Sequence, residues 1–161
     1  MIELQDADYS NVAHCNALIT LLDEYASSTE GGGIPLSSDV KSRLPKALSA
    51  RPDYHGVLAF EGETPAGLIN TFQAFSTFTC APIMNVHDVA VALTHRRQGI
   101  SRMMFDRVES IARELGCCKI TLEALSNNEP ANAAYRSLGF APYQLDPAHG
   151  YAVFWEKTLK S

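Results

Sequence analysis

Between Val86 and Leu115 the chain changes period, and the joint through which it changes limits the folds open to it. Val86 to Leu93 reads as the end of a strand that begins at Ile83. From Ile100 onward, Met103, Met104, Val108, Ile111 and Leu115 recur on one helical face, and Gly116 ends the pattern. The joint itself is His95-Arg96-Arg97-Gln98-Gly99-Ile100-Ser101. A strand that turns through a short basic loop into a helix leaves the first helical amides without internal partners. The helix dipole adds about half a positive charge at that end. Gly99 lets an anion approach the backbone, and the two arginines add charge and donors. The joint therefore reads as a phosphate cradle inside an α/β domain.

The flanking segments fit that frame. Residues 2–5 suit a short first strand. Cys15, Leu18, Ile19, Leu22 and Tyr25 fall at helical spacing, which predicts an amphipathic helix over 10–27. Gly31-Gly32-Gly33 breaks it and predicts a mobile loop. Ser37 or Ser38 is placed to cap a second helix carrying Val40, Leu44, Ala47 and Leu48, with Pro45 as a kink inside it. Val57–Phe60 and Ala66–Phe75 read as antiparallel strands around Glu61-Gly62-Glu63-Thr64. Lys119–Leu125 reads as a strand with Ile120, Leu122 and Ala124 on one face and Thr121 and Glu123 on the other. Pro130 suits the first turn of a helix through Leu138, closed by Gly139, and Tyr151–Leu159 reads as a final strand. The order predicts one mixed α/β sheet with helices on both faces.

Composition excludes several classes. At 161 residues the chain supports one domain with a real core. No apolar run is long enough to span a membrane, and MIELQDADYS lacks the regions of a signal peptide, so the expectation is a cytoplasmic protein without a membrane partner. A net charge of -5 argues against nucleic acid as a partner. Cys15, Cys80, Cys117 and Cys118 lack metal-ligand spacing and read as reduced thiols, so no metal is expected.

The strand Asp88-Val89-Ala90-Val91, the loop Arg96-x-x-Gly99-x-Ser101, and Asn128-x-x-Ala131-x-x-x-Tyr135-x-x-x-Gly139-Phe140 together resemble the GCN5-related N-acetyltransferase (GNAT) superfamily. The close match runs from about Val86 to Tyr143. The resemblance implies a single domain over 1–161, with a mostly antiparallel sheet whose central strands splay apart. It places a cofactor-binding core at about 83–143 and acceptor-side elements at about 1–50 and 140–159. It implies acetyl-CoA as co-substrate, its pyrophosphate held at Arg96, Arg97, Gln98, Gly99, Ile100, Ser101 and Arg102. The pantetheine arm would pair with Val89, Ala90 and Val91. Asn128 corresponds to a residue that contacts the arm, and Tyr135 to the tyrosine that protonates the departing thiolate. Ser101 departs from the family, which usually has Gly or Ala there.

Acetyl transfer needs a neutral amine, and only about one alkylamine in 10³ is neutral near pH 7, a deficit of about 4–5 kcal/mol. Two carboxylates are candidate bases. Glu123, in Leu122-Glu123, matches the spacing of a base glutamate in ribosomal-protein N-acetyltransferases of the superfamily. Asp88 lies on the strand where other branches place a water-linked base. His87 is expected on the opposite face from Asp88. Cys117 and Cys118 have no spacing-defined base, so direct attack is expected rather than a covalent intermediate.

For the acceptor side the resemblance points to Tyr25, Glu30, Gly31–Gly33, Phe72, Phe75, Phe78, Tyr143, His149 and Tyr151, with the glycines as a lid hinge. The leading expectation is a small-molecule primary amine as acceptor. The alternatives are a protein N-terminus or lysine, or a non-catalytic acyl-CoA sensor. Family habit admits a homodimer.

Overall fold

A computed structural model of the chain describes residues 1–143, 146–150 and 152–159. Among the described residues, five strands form a single sheet in sequence order. They are β1 (Ile2–Asp6), β2 (Tyr54–Glu61), β3 (Thr64–Ser76), β4 (Ala81–Val91) and β5 (Ile120–Leu122). β1 to β4 run antiparallel and β5 joins β4 in parallel. The helices are α1 (Val12–Ser27), α2 (Ser38–Ser49), α3 (Ile100–Glu114) and α4 (Glu129–Ser137).

Local chemistry sets the helix ends. The Asn11 side chain accepts from the Ala13 amide at the start of α1, and Ser37 accepts from the Val40 amide at the start of α2. α2 continues past Pro45 to Ser49. α3 stops before Gly116, whose φ of 69° suits the left-handed residue that closes a helix.

Helices cover both faces of the sheet. On one, Ile100, Met104, Phe105, Val108 and Ile111 of α3 bury against Val57, Ala59, Ile69, Met84 and Val86. On the other, Ala17, Leu18 and Leu21 of α1 and Leu48 of α2 bury against Leu58, Phe60, Leu68 and Ala90. Each large side chain removed from water in this way contributes about 1.5–3 kcal/mol. Gly67 on β3 lets α3 sit close, since a Cβ there would lie 2.9 Å from Met104 Cε and 3.0 Å from Ile100 Cγ2. No helix among the described residues is long and apolar enough to cross a membrane.

Three departures from the sequence expectation matter. First, β4 carries a bulge. Asn70 pairs with Asp88 and Thr71 with Val86, so His87 is the extra residue. A bulge breaks strict alternation. His87 therefore packs edge-on against Phe72, on the α1 face that Asp88 also occupies, and not on the opposite face. Second, β5 ends at Leu122, because its ladder with β4 covers only Met84–Val86 and stops where the bulge begins. From Asp88 to Val91 the outer edge of β4 pairs with no strand among the described residues, and this is the splay between β4 and β5. Third, residues 152–159 form no strand, and Val153, Phe154, Trp155 and Leu159 are exposed. Tyr151 lies outside the described residues.

Candidate active site

The open edge of β4 becomes one wall of a cleft of about 430 Å³. Val89, Ala90 and Val91 line it. Among the described residues, the backbone groups turned out on the side that β5 has left are those of Val89 and the Val91 amide, since Ala90 faces Leu68 on β3 and the Val91 carbonyl accepts from Arg96. Its lower end is the loop after β4, where Arg96, Arg97, Gly99, Ile100 and Ser101 line the space. Arg97 and Gly99 both take the left-handed conformation, at φ 64° and 77°. For an arginine that conformation is uncommon and strained. Alternating left-handed residues turn successive amides toward one point and make an anion-binding nest. Among the described residues, no amide from Arg97 to Arg102 meets a backbone acceptor outside α3, and the first turn of α3 supplies none within it.

The side chains of the loop divide the work unevenly. The Arg96 Nε reaches back to the Val91 carbonyl at 3.4 Å. The Arg102 guanidinium is turned away, donating to the Ser137 carbonyl and hydroxyl at 3.1 Å each, so it ties α3 to α4. Gln98 is exposed and does not line the cleft. For Gln98 and Arg102 the backbone amides, not the side chains, remain available to an anion.

α4 forms the facing wall. Asn128 caps it, its Oδ1 accepting from the Ala131 amide at 3.3 Å, and also lines the cleft. Ala131, Ala134 and Tyr135 follow at helical spacing on the same face. Phe105 and Phe140 pack edge-on against the Tyr135 ring, at 5.8 and 6.1 Å between centroids. Burial, and then the nearby Tyr25, raise its phenol above the ordinary value, so it holds its proton at neutral pH.

A model of the acetyltransferase (GNAT) family matches residues 18–140, which takes in the open strand edge, the loop and Tyr135. The chain belongs to the GNAT family of acetyltransferases. It is an N-acetyltransferase, and enzymes of this family use acetyl-CoA. A thialysine N-epsilon-acetyltransferase of Caenorhabditis elegans is 25% identical over 147 residues, covering 88% of this chain and 84% of that protein. A streptothricin acetyltransferase of Streptomyces lavendulae is 40% identical over 77 residues, covering 48% of this chain and 41% of that protein. Among solved structures, an aminoglycoside acetyltransferase from an uncultured soil metagenomic sample, in complex with sisomicin, superposes with a TM-score of 0.79. It is 18% identical, and the match covers 99% of this chain and 97% of that one.

In this GNAT chain the upper wall of the cleft comes from α1 and the turn after it. Tyr25 and Glu30 line it, joined by Leu21, Glu24 and Ser28, which the sequence did not single out. Burial raises the Tyr25 phenol most, followed by the charges of Asp88 and Glu30, so these groups share one electrostatic neighbourhood. The Glu24 carboxylate accepts from the Leu93 amide at 2.8 Å and ties α1 to the segment after β4. Gly31 is folded back onto α1. A Cβ there would lie 2.0 Å from the Tyr25 carbonyl oxygen, and the Gly31 and Gly33 amides both bond to the Ser28 carbonyl. The triple glycine is thus held in a hydrogen-bonded turn.

The two candidate bases separate. Glu123 is exposed, one residue past the end of β5, and does not line the cleft. Asp88 is half-buried, immediately before the cleft-lining Val89, and its charge reaches Tyr25. The phenylalanines also separate. Phe72 packs with Tyr54, His87 and the Arg51 guanidinium, while Phe75 and Phe78 are exposed at the far end of the β3–β4 hairpin. Neither Phe72 nor Phe75 lines the cleft. Tyr143 is exposed beneath the Lys119 ammonium, and His149 is exposed beside Asp146.

A second hollow of about 440 Å³ lies between α3, β5 and α4, but neither the β4 edge nor Tyr135 lines it.

Proposed function

We propose that this enzyme moves the acetyl group of acetyl-CoA to a primary amine of a small cationic molecule, by direct attack in a ternary complex. One observation carries the reading: a single cleft joins the amide nest, the open β4 edge and Tyr135 to an acidic wall of Glu24, Glu30 and the neighbouring Asp88. The residues fit the cofactor. The nest from Arg97 to Arg102 suits the pyrophosphate, and the outward backbone groups of Val89 and the Val91 amide suit the amides of the pantetheine arm. Asn128 and Tyr135 close over that arm from α4. Bound acetyl-CoA supplies the activated thioester.

The protein's own groups then handle protons. The Tyr135 phenol, kept protonated by burial, donates to the sulfur as it leaves. Asp88 accepts the amine proton, directly or through one water. Neither carboxylate lines the cleft, but Asp88 adjoins its wall at Val89 and its charge reaches Tyr25, which makes Glu123 the weaker candidate. Two relatives are named for small acceptors, thialysine and streptothricin, and the fold neighbour was solved with sisomicin. Their names favour a small molecule over a protein.

The test is release of free thiol from acetyl-CoA against thialysine, streptothricin, sisomicin and a ribosomal-type N-terminal peptide. Turnover with one of the small amines and not with the peptide is expected. Turnover with the peptide alone would assign a protein acceptor. Tight acetyl-CoA binding with no thiol release from any of them would mark a sensor.

A further inference from the structure

Asp88 stands at the end of a line of polar groups that crosses the sheet beneath α1. Gly56 on β2 pairs with Asn70 on β3, and Asn70 pairs with Asp88 on β4, so the three form one row. Asn70 is 2% exposed. Its Nδ2 donates to Asp88 Oδ2 at 2.9 Å, and its Oδ1 accepts from the Tyr54 hydroxyl at 2.9 Å. The Tyr54 hydroxyl lies 2.6 Å from that of Tyr9.

The direction of this chain is forced. An ionised carboxylate only accepts, so the Asn70 amide must turn its NH₂ toward Asp88. Its carbonyl then faces Tyr54, which must donate. Tyr54 has spent its proton, so Tyr9 must donate to it in turn. Every hydrogen bond points toward Asp88. Burial pushes the Tyr9 phenol up to about 12 and the Tyr54 phenol higher still, so both remain donors throughout the working range.

We infer that Asn70 and Tyr54 are positioning residues for the acetyl transfer, holding the Asp88 carboxylate by Oδ2 so that Oδ1 stays free for the amine. This rests on the reading of Asp88 as the base. Two backbone features serve the arrangement. The bulge at His87 brings Asp88, in place of His87, opposite Asn70. Gly56 leaves the space in which Tyr54 folds across β2, since a Cβ there would lie 2.1 Å from the Tyr54 hydroxyl. Among the described residues, the Asp88 charge raises the phenols of Tyr25 from α1 and Tyr54 from β2, and His87 adjoins it in the chain.

The experiment is a double-mutant cycle of Tyr54→Phe and Asp88→Asn in the full chain, with acetyl-CoA and whichever of thialysine, streptothricin and sisomicin turns over fastest. Tyr54→Phe keeps the ring and is expected to lower kcat about three- to tenfold with KM for acetyl-CoA unchanged. In the Asp88→Asn background it is expected to cost nothing more. The same fold-loss in both backgrounds would show that Tyr54 acts on the fold and not through Asp88, and would overturn the inference. Full kcat in Asp88→Asn alone would overturn the base reading and the inference with it. Independently of any acceptor, the Asn70 side-chain amide resonances should move in both Tyr54→Phe and Asp88→Asn. Resonances unmoved by Tyr54→Phe would mean that the chain does not exist in solution, whatever Asp88 does.

Discussion

Tyr135 shows how one side chain can serve as both packing and acid. Its ring packs against Phe105 and Phe140, and the residue also lines the cleft. Tyr135→Phe keeps the first role and deletes the second. A thiolate leaves with a pKa near 8.5, so protonation helps less than it would for an alkoxide or amine. We therefore expect kcat to fall about tenfold to a hundredfold, with the acetyl-CoA dissociation constant nearly unchanged, in steady-state kinetics alongside calorimetric titration. An unchanged kcat would leave Tyr135 as packing alone. This residue is legible in the sequence because its spacing to Asn128 and Gly139 is local and helical. The relation of Asp88 to Glu123 is not. A single extra residue in β4 changes which side chains share a face, and nothing in Asn85-Val86-His87-Asp88 announces it. The same bulge ends the β5 ladder and leaves Glu123 outside the cleft.

Among the elements, α3 and its entry loop are the part that function constrains most. A Cβ added at Gly99 would meet no protein atom within 4 Å, so room is not the constraint there. The constraint is its φ of 77°, which a β-branched residue adopts only under strain, and the closeness of the nest to its ligand. Gly99→Val should weaken acetyl-CoA binding by more than about tenfold while costing about 1–2 kcal/mol in stability. Wild-type affinity by calorimetry would place the pyrophosphate elsewhere. Gly67 works from beneath. Gly67→Ala pushes on Met104 and on Ile100, the first residue of α3. Met104 presents the flexible end of its side chain, but Ile100 Cγ2 is held by a stiff β-branched carbon, so the stability cost should fall within the overpacking range, about 1–3 kcal/mol. The displacement passes into the loop, and acetyl-CoA binding should weaken severalfold. Urea denaturation and calorimetry on the same variant separate the two effects. The period change at this loop is readable in the sequence because helix and strand patterns are both strong there. The glycine turn after α1 is not, since composition shows the freedom of three glycines but not the Ser28 carbonyl that takes the amides of Gly31 and Gly33.

At the scale of the whole molecule, the buried phenols set an alkaline limit to stability. Tyr9, Tyr25, Tyr54 and Tyr135 all have raised values, with burial the largest cause in each. In the unfolded chain these phenols lose their protons near pH 10. In the folded chain Tyr9 keeps its proton to about 12, and Tyr54 keeps its own beyond that. Above about pH 10 the unfolded state therefore binds fewer protons than the folded one, and stability falls as pH rises. Below about pH 10 both states are protonated and this contribution is flat. A phenol that is ionised only when unfolded contributes a slope of about 1.4 kcal/mol per pH unit. Urea midpoints measured from about pH 8 to about pH 11 should hold level and then drop steeply beyond about pH 10. Tyr54→Phe removes one such group and should lessen the drop, though it lowers the plateau by breaking the chain to Asn70 and Asp88. A midpoint that stays level throughout that range in the wild type would mean that these phenols ionise in the folded state, and that the line of donors beneath α1 is open to water.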